Sequence, residues 1–295
     1  MTDVTPNRPS KIGRALFSSA LKNFNKDRFV LLFPVLALIA NVSLVGTLGL
    51  AVFFSEQFWT SESELRPFAG FALAVALSVI VSFTHVLFQA CVMCAANQRY
   101  SGIEPTFGSA FKEASEKLGP LSVFSLVEAT VGMILRAIRD NLKVVGNFLS
   151  FIGGLAWAVA SYFAIPAILF EGLGPIAAVR RSADLIKTTW GSALRVNVVA
   201  GVLFVFAWIL AIGGVVGGLF LAIGDPYNYQ PTAGFTVIGL SLVFAFALAL
   251  VQGSVMSYAC VALYRYATGK PMPEFDANLM EAAFKLKREK ITRFV

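Results

Sequence analysis

Glu128 is the one acidic residue well inside a long apolar run of this chain, close to the middle of that run. A charge at the centre of a bilayer costs about 2.5–3.5 kcal/mol on insertion scales, so such a residue is a functional candidate by default. His85 is the single histidine, slightly to the cytoplasmic side of the middle of another apolar run, and Gln89 follows at i+4 on the same helical face. If the two helices touch, His85 and Glu128 stand at similar depth, as a proton-responsive pair or a polar cation site. Arg136 follows Glu128 by eight residues, within about 80° of it on an ideal helix. It either joins this site or snorkels to lipid headgroups. The competing use of the same residues is structural: a hydrogen bond that fixes helix packing, worth about 1–2 kcal/mol or less in a membrane.

Other motifs point to packing. Cys91-Val-Met-Cys94 has redox spacing, but a reactive thiolate needs a helix N-terminus or a basic neighbour and access to solvent. These cysteines sit deep in an apolar run, and with Cys260 they give no disulfide framework. One histidine and scattered cysteines make no metal site, and no Ser-His-Asp set is legible. Neither a metal nor a cofactor is expected. Gly213, Gly214, Gly217 and Gly218 form two overlapping small-xxx-small patterns, which allow close helix approach within a bundle or between subunits. No lysine or strand adjoins them to make a phosphate loop.

The elements that must carry these residues follow from composition. Of the 295 residues, 57% are hydrophobic and 14% charged, against about 45–50% and about 25% in a soluble domain. Mean hydropathy is +0.73. A soluble fold of this length could not bury so much apolar surface. A bilayer core needs about 20 apolar residues per helix. Six stretches qualify: Phe29–Phe54, Pro67–Ala96, Leu121–Ile138, Val145–Phe170, Val196–Ile223 and Gly234–Tyr264. They are too long for the strands of a porin-type barrel, and the first is too long for a signal-peptide core.

Charge predicts orientation. Only Arg66, Arg136, Arg139 and Lys143 fall on one side, and the other 20 of 24 basic residues fall on the side of both termini. The positive-inside rule places that side in the cytoplasm. The net charge of +7 is thereby explained without a nucleic acid partner. Glu56, Glu62 and Glu64 lie in the first outer loop. The third stretch is short and basic at its outer end, which leaves a re-entrant or tilted helix open.

Each pair of spans follows an amphipathic segment. Ile12, Leu16, Ala20 and Phe24 form the first stripe. Phe107, Phe111, Ala114 and Leu118 form the second, and Ile176, Val179, Ala183 and Ile186 the third. Ala15, Ala110 and Ala178 occupy equivalent places, as do Ser19, Ala114 and Ser182 four residues on. The pattern suggests a unit of surface helix plus hairpin, repeated three times. At the third unit, Glu171 ends an apolar run, Gly172 and Gly174 loosen the backbone, and Pro175 suits the first turn of a new helix. Arg180, Arg181 and Lys187 then face the membrane surface as candidate headgroup contacts, each worth about 1 kcal/mol near an anionic leaflet.

Three strings carry a resemblance. They are Glu171-x-Leu173-Gly174-Pro175; Arg181-Ser182 with Leu185, Lys187, Thr189, Trp190 and Gly191; and Ala262 to Gly269, reading ALYRYATG. The stretch EATVGMILRAI from Glu128 adds to them. Together they resemble an uncharacterised prokaryotic six-helix membrane family, domain of unknown function 6159, over nearly the whole chain. The resemblance implies fold and membrane location and no activity.

The expected molecule is an all-α polytopic transmembrane bundle of about six spans with amphipathic cytoplasmic surface helices. Residues 1–28 form an amphipathic cytoplasmic segment, 29–264 the membrane domain, and 265–295 a basic cytoplasmic tail. It is expected to sit in a prokaryotic plasma membrane with both termini cytoplasmic. It is expected to be no enzyme but a scaffold or accessory subunit contacting lipids and other membrane proteins or a second copy of itself. The alternative is a small-solute or ion transporter or channel with a midplane site at Glu128 and His85.

Overall fold

The computed structural model describes residues 9–54, 66–223, 231–270 and 272. Glu56, Glu62, Glu64, the basic residues from Lys285 to Arg293, and the side chains of residues 9–16 and 188–203 lie outside what is described.

Among the described residues the chain is helical throughout. Its elements are α1 (Pro9–Lys26), a 3-10 turn (Arg28–Leu31), α2 (Leu32–Phe54), α3 (Arg66–Tyr100), α4 (Phe107–Ser115) and α5 (Leu118–Asn141). They continue as α6 (Lys143–Ser161), α7 (Ala164–Glu171), α8 (Pro175–Ile223) and α9 (Pro231–Thr268). Six stretches are long and apolar enough to cross a bilayer, as the sequence predicts. The third is α5, whose 24 residues reach about 36 Å at 1.5 Å per residue, enough to span without re-entry.

Two elements differ from expectation. The fourth apolar run is two helices, α6 and α7. Pro166 has no N–H to give to the carbonyl of Tyr162, and its ring crowds that carbonyl, so the helix breaks at 162–163. The Ser182 hydroxyl accepts from the Phe163 N–H at 2.8 Å and satisfies a donor at the start of α7. The third surface helix does not end before the fifth span. Both belong to α8, continuous for 49 residues, because no proline follows Pro175 and only the single glycines Gly191 and Gly201 lie between the surface segment and the core of the span. Likewise α9 runs past residue 264 to Thr268, so the expected domain limit falls inside a helix.

The surface helices gather at one end of the bundle. Ala20 and Phe24 of α1 are buried while Lys22 and Lys26 face out, and Phe24 meets Tyr258 of α9 edge to face at 6.3 Å. In α4 the buried residues are Ala110 and Ala114, with Thr106 capping the helix reciprocally through Ser109. Phe107 and Phe111 stay partly exposed, and Phe107 stacks on Phe33 at 4.6 Å. At the start of α8 the buried face is Ala178, Ser182, Leu185 and Ile186, and Ile176 points outward. The second and third units therefore both bury a small residue pair four apart, Ala110/Ala114 and Ala178/Ser182.

The dense core lies at this same end, from residues 90–100 of α3, 163–169 around α7 and 254–267 of α9. There the aqueous phase is near and apolar burial is driven by water, at about 25 cal/mol per Å². Towards the opposite end the large side chains, such as Phe53, Phe71, Phe151, Phe220 and Phe235, point outward. Lipid tails are as apolar as they are, so helices there associate by close packing of small residues instead. That packing is seen between α8 and α9, the most extensive helix pair.

Candidate functional site

The polar residues expected at the midplane are distributed over two places. Helices α3 and α5 are antiparallel, and their register is marked by the Ser82 hydroxyl donating to the Ser125 carbonyl at 3.2 Å. Glu128 lies three residues from Ser125 towards the far end, and His85 three residues from Ser82 towards the surface-helix end. At 1.5 Å per residue they are offset by about 9 Å along the bundle. The structure does not bring them together. Among the described residues no hydrogen bond or ion pair reaches the half-buried Glu128 carboxylate. Arg136 lies about 12 Å beyond Glu128 by the same rise and is exposed, in position to snorkel to the far interface.

His85 and Gln89 line a cavity of about 290 Å³ between α2, α3 and α9, to which Glu128 does not contribute. Asn41 on α2 and Ser254 and Ser257 on α9 supply its other polar groups, and Leu38, Phe88, Val92, Phe246 and Leu250 its apolar walls. Cys91 and Cys94 are fully buried in α3 just beyond it, and the Cys260 thiol donates to the Tyr162 carbonyl at 3.3 Å.

A second set of polar residues ties the helices together at the surface-helix end. Asp27, buried at the joint of α1 and the 3-10 turn, accepts both Nε, at 2.9 Å, and Nη2 of Arg99 from α3. It also accepts the Tyr258 hydroxyl of α9 at 3.0 Å. Arg265 Nη1 donates to Asn97 Oδ1 and Ser101 Oγ, both at 2.8 Å, holding the end of α9 to the end of α3. Gln98 donates to Glu113 at 2.7 Å and links α3 to α4. Sequence reasoning missed this set. Its signal was the placement of Asp27, Arg99 and Arg265 at the ends of apolar runs, where charges are ordinary.

The elbow between α7 and α8 forms the last tie. Gly172 takes the left-handed conformation, φ 69°, that ends α7, and Pro175 opens α8. Across this turn Arg181 donates to Glu171 through Nε at 3.0 Å and Nη2 at 3.2 Å. The Tyr264 hydroxyl of α9 donates to the same carboxylate at 2.5 Å. That hydrogen bonding to Glu171 holds the Arg181 guanidinium above its usual pKa range. Of the three expected headgroup contacts, Arg181 is therefore turned to Glu171, and exposed Lys187 pairs with Asp184 at 3.1 Å. Arg180 is exposed, and among the described residues it makes no ion pair.

Glu171→Ala is expected to lower stability by about 1–3 kcal/mol, chiefly because the Tyr264 hydroxyl loses its acceptor. The half-exposed ion pair adds little, being screened by solvent. Glu171→Gln keeps an acceptor and should recover most of the loss in a detergent melting curve. A Gln variant as unstable as the Ala variant would shift the weight to the charge.

The helices and these ties define a multi-pass α-helical membrane protein. Residues 69–272 match the Family of unknown function (DUF6159), and the chain belongs to that family. No curated protein matches it. All three sequence strings that carry the resemblance meet at the elbow: Glu171 from the first, Arg181 and Ser182 from the second, Tyr264 from the third.

Proposed function

We propose that this is a non-enzymatic scaffold or accessory protein of the prokaryotic plasma membrane, with both termini cytoplasmic. Its surface-helix end engages the anionic inner leaflet and neighbouring membrane proteins or a second copy of the chain. The observation that carries the reading is the convergence at one end of three surface helices, the dense core and the interhelical ties. Such an end resists deformation, because the ties of Asp27 to Arg99 and Tyr258, of Glu171 to Tyr264 and of Arg265 to Asn97 join residues far apart in sequence. Exposed Lys22, Arg28, Lys112, Arg180 and Lys187 lie on these helices or beside them, where each basic group is worth about 1 kcal/mol against an anionic surface. The positive-inside rule supports the same end as cytoplasmic.

Two measurements test this. Single cysteines at Glu64 and Tyr229 should react with an impermeant reagent from outside intact cells, and a cysteine at Lys290 only after lysis. Labelling of Lys290 in intact cells overturns the orientation. Vesicles containing phosphatidylglycerol should raise the melting temperature above that in pure phosphatidylcholine, and Arg180→Ala with Lys187→Ala should shrink the difference. Equal stability in both lipids overturns the leaflet contact.

A further inference from the structure

We propose that the cavity between α2, α3 and α9 binds the ring of an uncharged, quinone-type lipid whose tail leaves sideways into the bilayer. This inference does not rest on the scaffold reading. It starts from the unmet hydrogen-bonding needs of the walls. Ser254, only 2% exposed, lines the cavity, and its Oγ has no hydrogen-bond partner. On the opposite wall the buried Oδ1 of Asn41 is also unpartnered. A buried polar atom left without a partner costs about 1–3 kcal/mol; the Asn41 Oδ1 only accepts and the Ser254 hydroxyl can donate, so both are satisfied by an occupant with a donating hydroxyl on one side and a second oxygen on the other. His85 and Gln89 add further donors and acceptors from α3, the floor.

The walls also decide the charge and shape of the occupant. Neither Lys, Arg, Asp nor Glu is among the lining residues. A phosphate or carboxylate head would therefore be stranded without a counter-charge near the middle of the spans. Phe88 and Phe246 supply aromatic surface for a ring, and about 290 Å³ is of the size a substituted six-membered ring requires. Helices α2 and α9 touch each other little, each leaning on α3 instead. Leu38, Phe246, Ala249 and Gly253 at the opening are exposed on the bundle's side. The opening therefore faces acyl chains, and an apolar tail can leave through it. A ring on such a tail with a hydroxyl to donate to Asn41 Oδ1 and a second oxygen towards Ser254, the reduced form of a quinone-type lipid, meets all of these requirements.

The experiment is titration calorimetry of the full chain in detergent with a decyl-tailed benzoquinol, kept reduced under anaerobic conditions, using decanol as the tail control. Wild type should bind one quinol, at least tenfold more tightly than decanol. A Cβ at Gly253 meets no atom within 4 Å, so Gly253→Leu should fold, place its side chain in the opening and weaken binding tenfold or more. Ser254→Ala removes a single hydrogen bond and should weaken binding about fivefold. If the melting curve shows Gly253→Leu unfolded, Gln89→Leu takes its place with the same expectation as Ser254→Ala. Absence of quinol binding by wild type overturns the proposal. So does affinity no better than for decanol, or wild-type affinity in folded cavity variants. Organic extraction of protein purified from native membranes should yield quinone in near-stoichiometric amount. A different hydroxyl lipid in its place overturns the ligand class.

Discussion

Asp27→Ala is expected to lower the stability of the bundle by about 3–5 kcal/mol, the loss typical of breaking a buried ion pair from one side. Asp27 is 1% exposed and receives Arg99 in a two-pronged contact together with the Tyr258 hydroxyl. Removing the carboxylate leaves the Arg99 guanidinium without its hydrogen-bonded counter-charge, and only Glu104 remains as a weaker electrostatic partner. Its removal also frees the end of α1 from the end of α3, which the Arg99–Asp27 pair joins, while the turn itself persists, because Val30 N–H donates to the backbone carbonyl of residue 27 at 2.9 Å. Asp27→Asn keeps an acceptor for Tyr258 but not the charge, and should fall between. The cycle that adds Arg99→Met to Asp27→Leu should recover most of the loss, since a buried pair replaced by apolar groups is often neutral. Melting curves in one detergent measure all four proteins. An Asp27→Ala protein that melts with wild type would show that the tie contributes nothing to holding α1.

The apolar runs and the polar ties differ in how sequence encodes them. A run such as Leu32–Phe54 states its own fate, because any helix of that length and hydropathy must find a membrane. Pro166 was visible inside the fourth run, but without the partner that Ser182 provides at Phe163 there was no reason to prefer a break to a kink. Glu128 was legible as an anomaly. Its expected meeting with His85 was not decidable, because depth along a span leaves register open by a turn or more. The register is set by Ser82 against the Ser125 carbonyl, a contact that carries no compositional signal. Asn41 and Ser254 were silent for a different reason. Small polar residues are common in membrane helices, where they bond to their own backbone, as Ser257 does to Gly253 at 2.9 Å. Only the three-dimensional packing separates those from the two whose buried atoms face a cavity.

The four glycines of α8 form two overlapping small-xxx-small patterns in the sequence, and the structure sets the two apart. A Cβ built on Gly218 would lie 2.9 Å from the Gly234 carbonyl oxygen and 3.0 Å from the Ile238 nitrogen of α9. One on Gly214 would strike the Ser241 side chain, while Gly213 and Gly217 meet nothing within 4 Å. The difference is between backbone and side chain. Ser241 can rotate away, but the Gly234 carbonyl belongs to a helix, and α9 must move as a body to make room. Gly218→Leu is therefore expected to destabilise by about 3 kcal/mol or more, at or above the upper end of overpacking costs, and Gly214→Leu by less. Gly213→Leu and Gly217→Leu should be neutral or slightly stabilising, because leucine exceeds glycine in helix propensity by up to about 1 kcal/mol. Melting temperatures of the four single variants, measured alongside their elution volumes, give the ranking. If Gly217→Leu costs as much stability as Gly218→Leu at unchanged oligomeric size, α8 packs on α9 through both faces and the division is wrong. If it instead alters the size of the assembly, the outward pair is a contact between subunits.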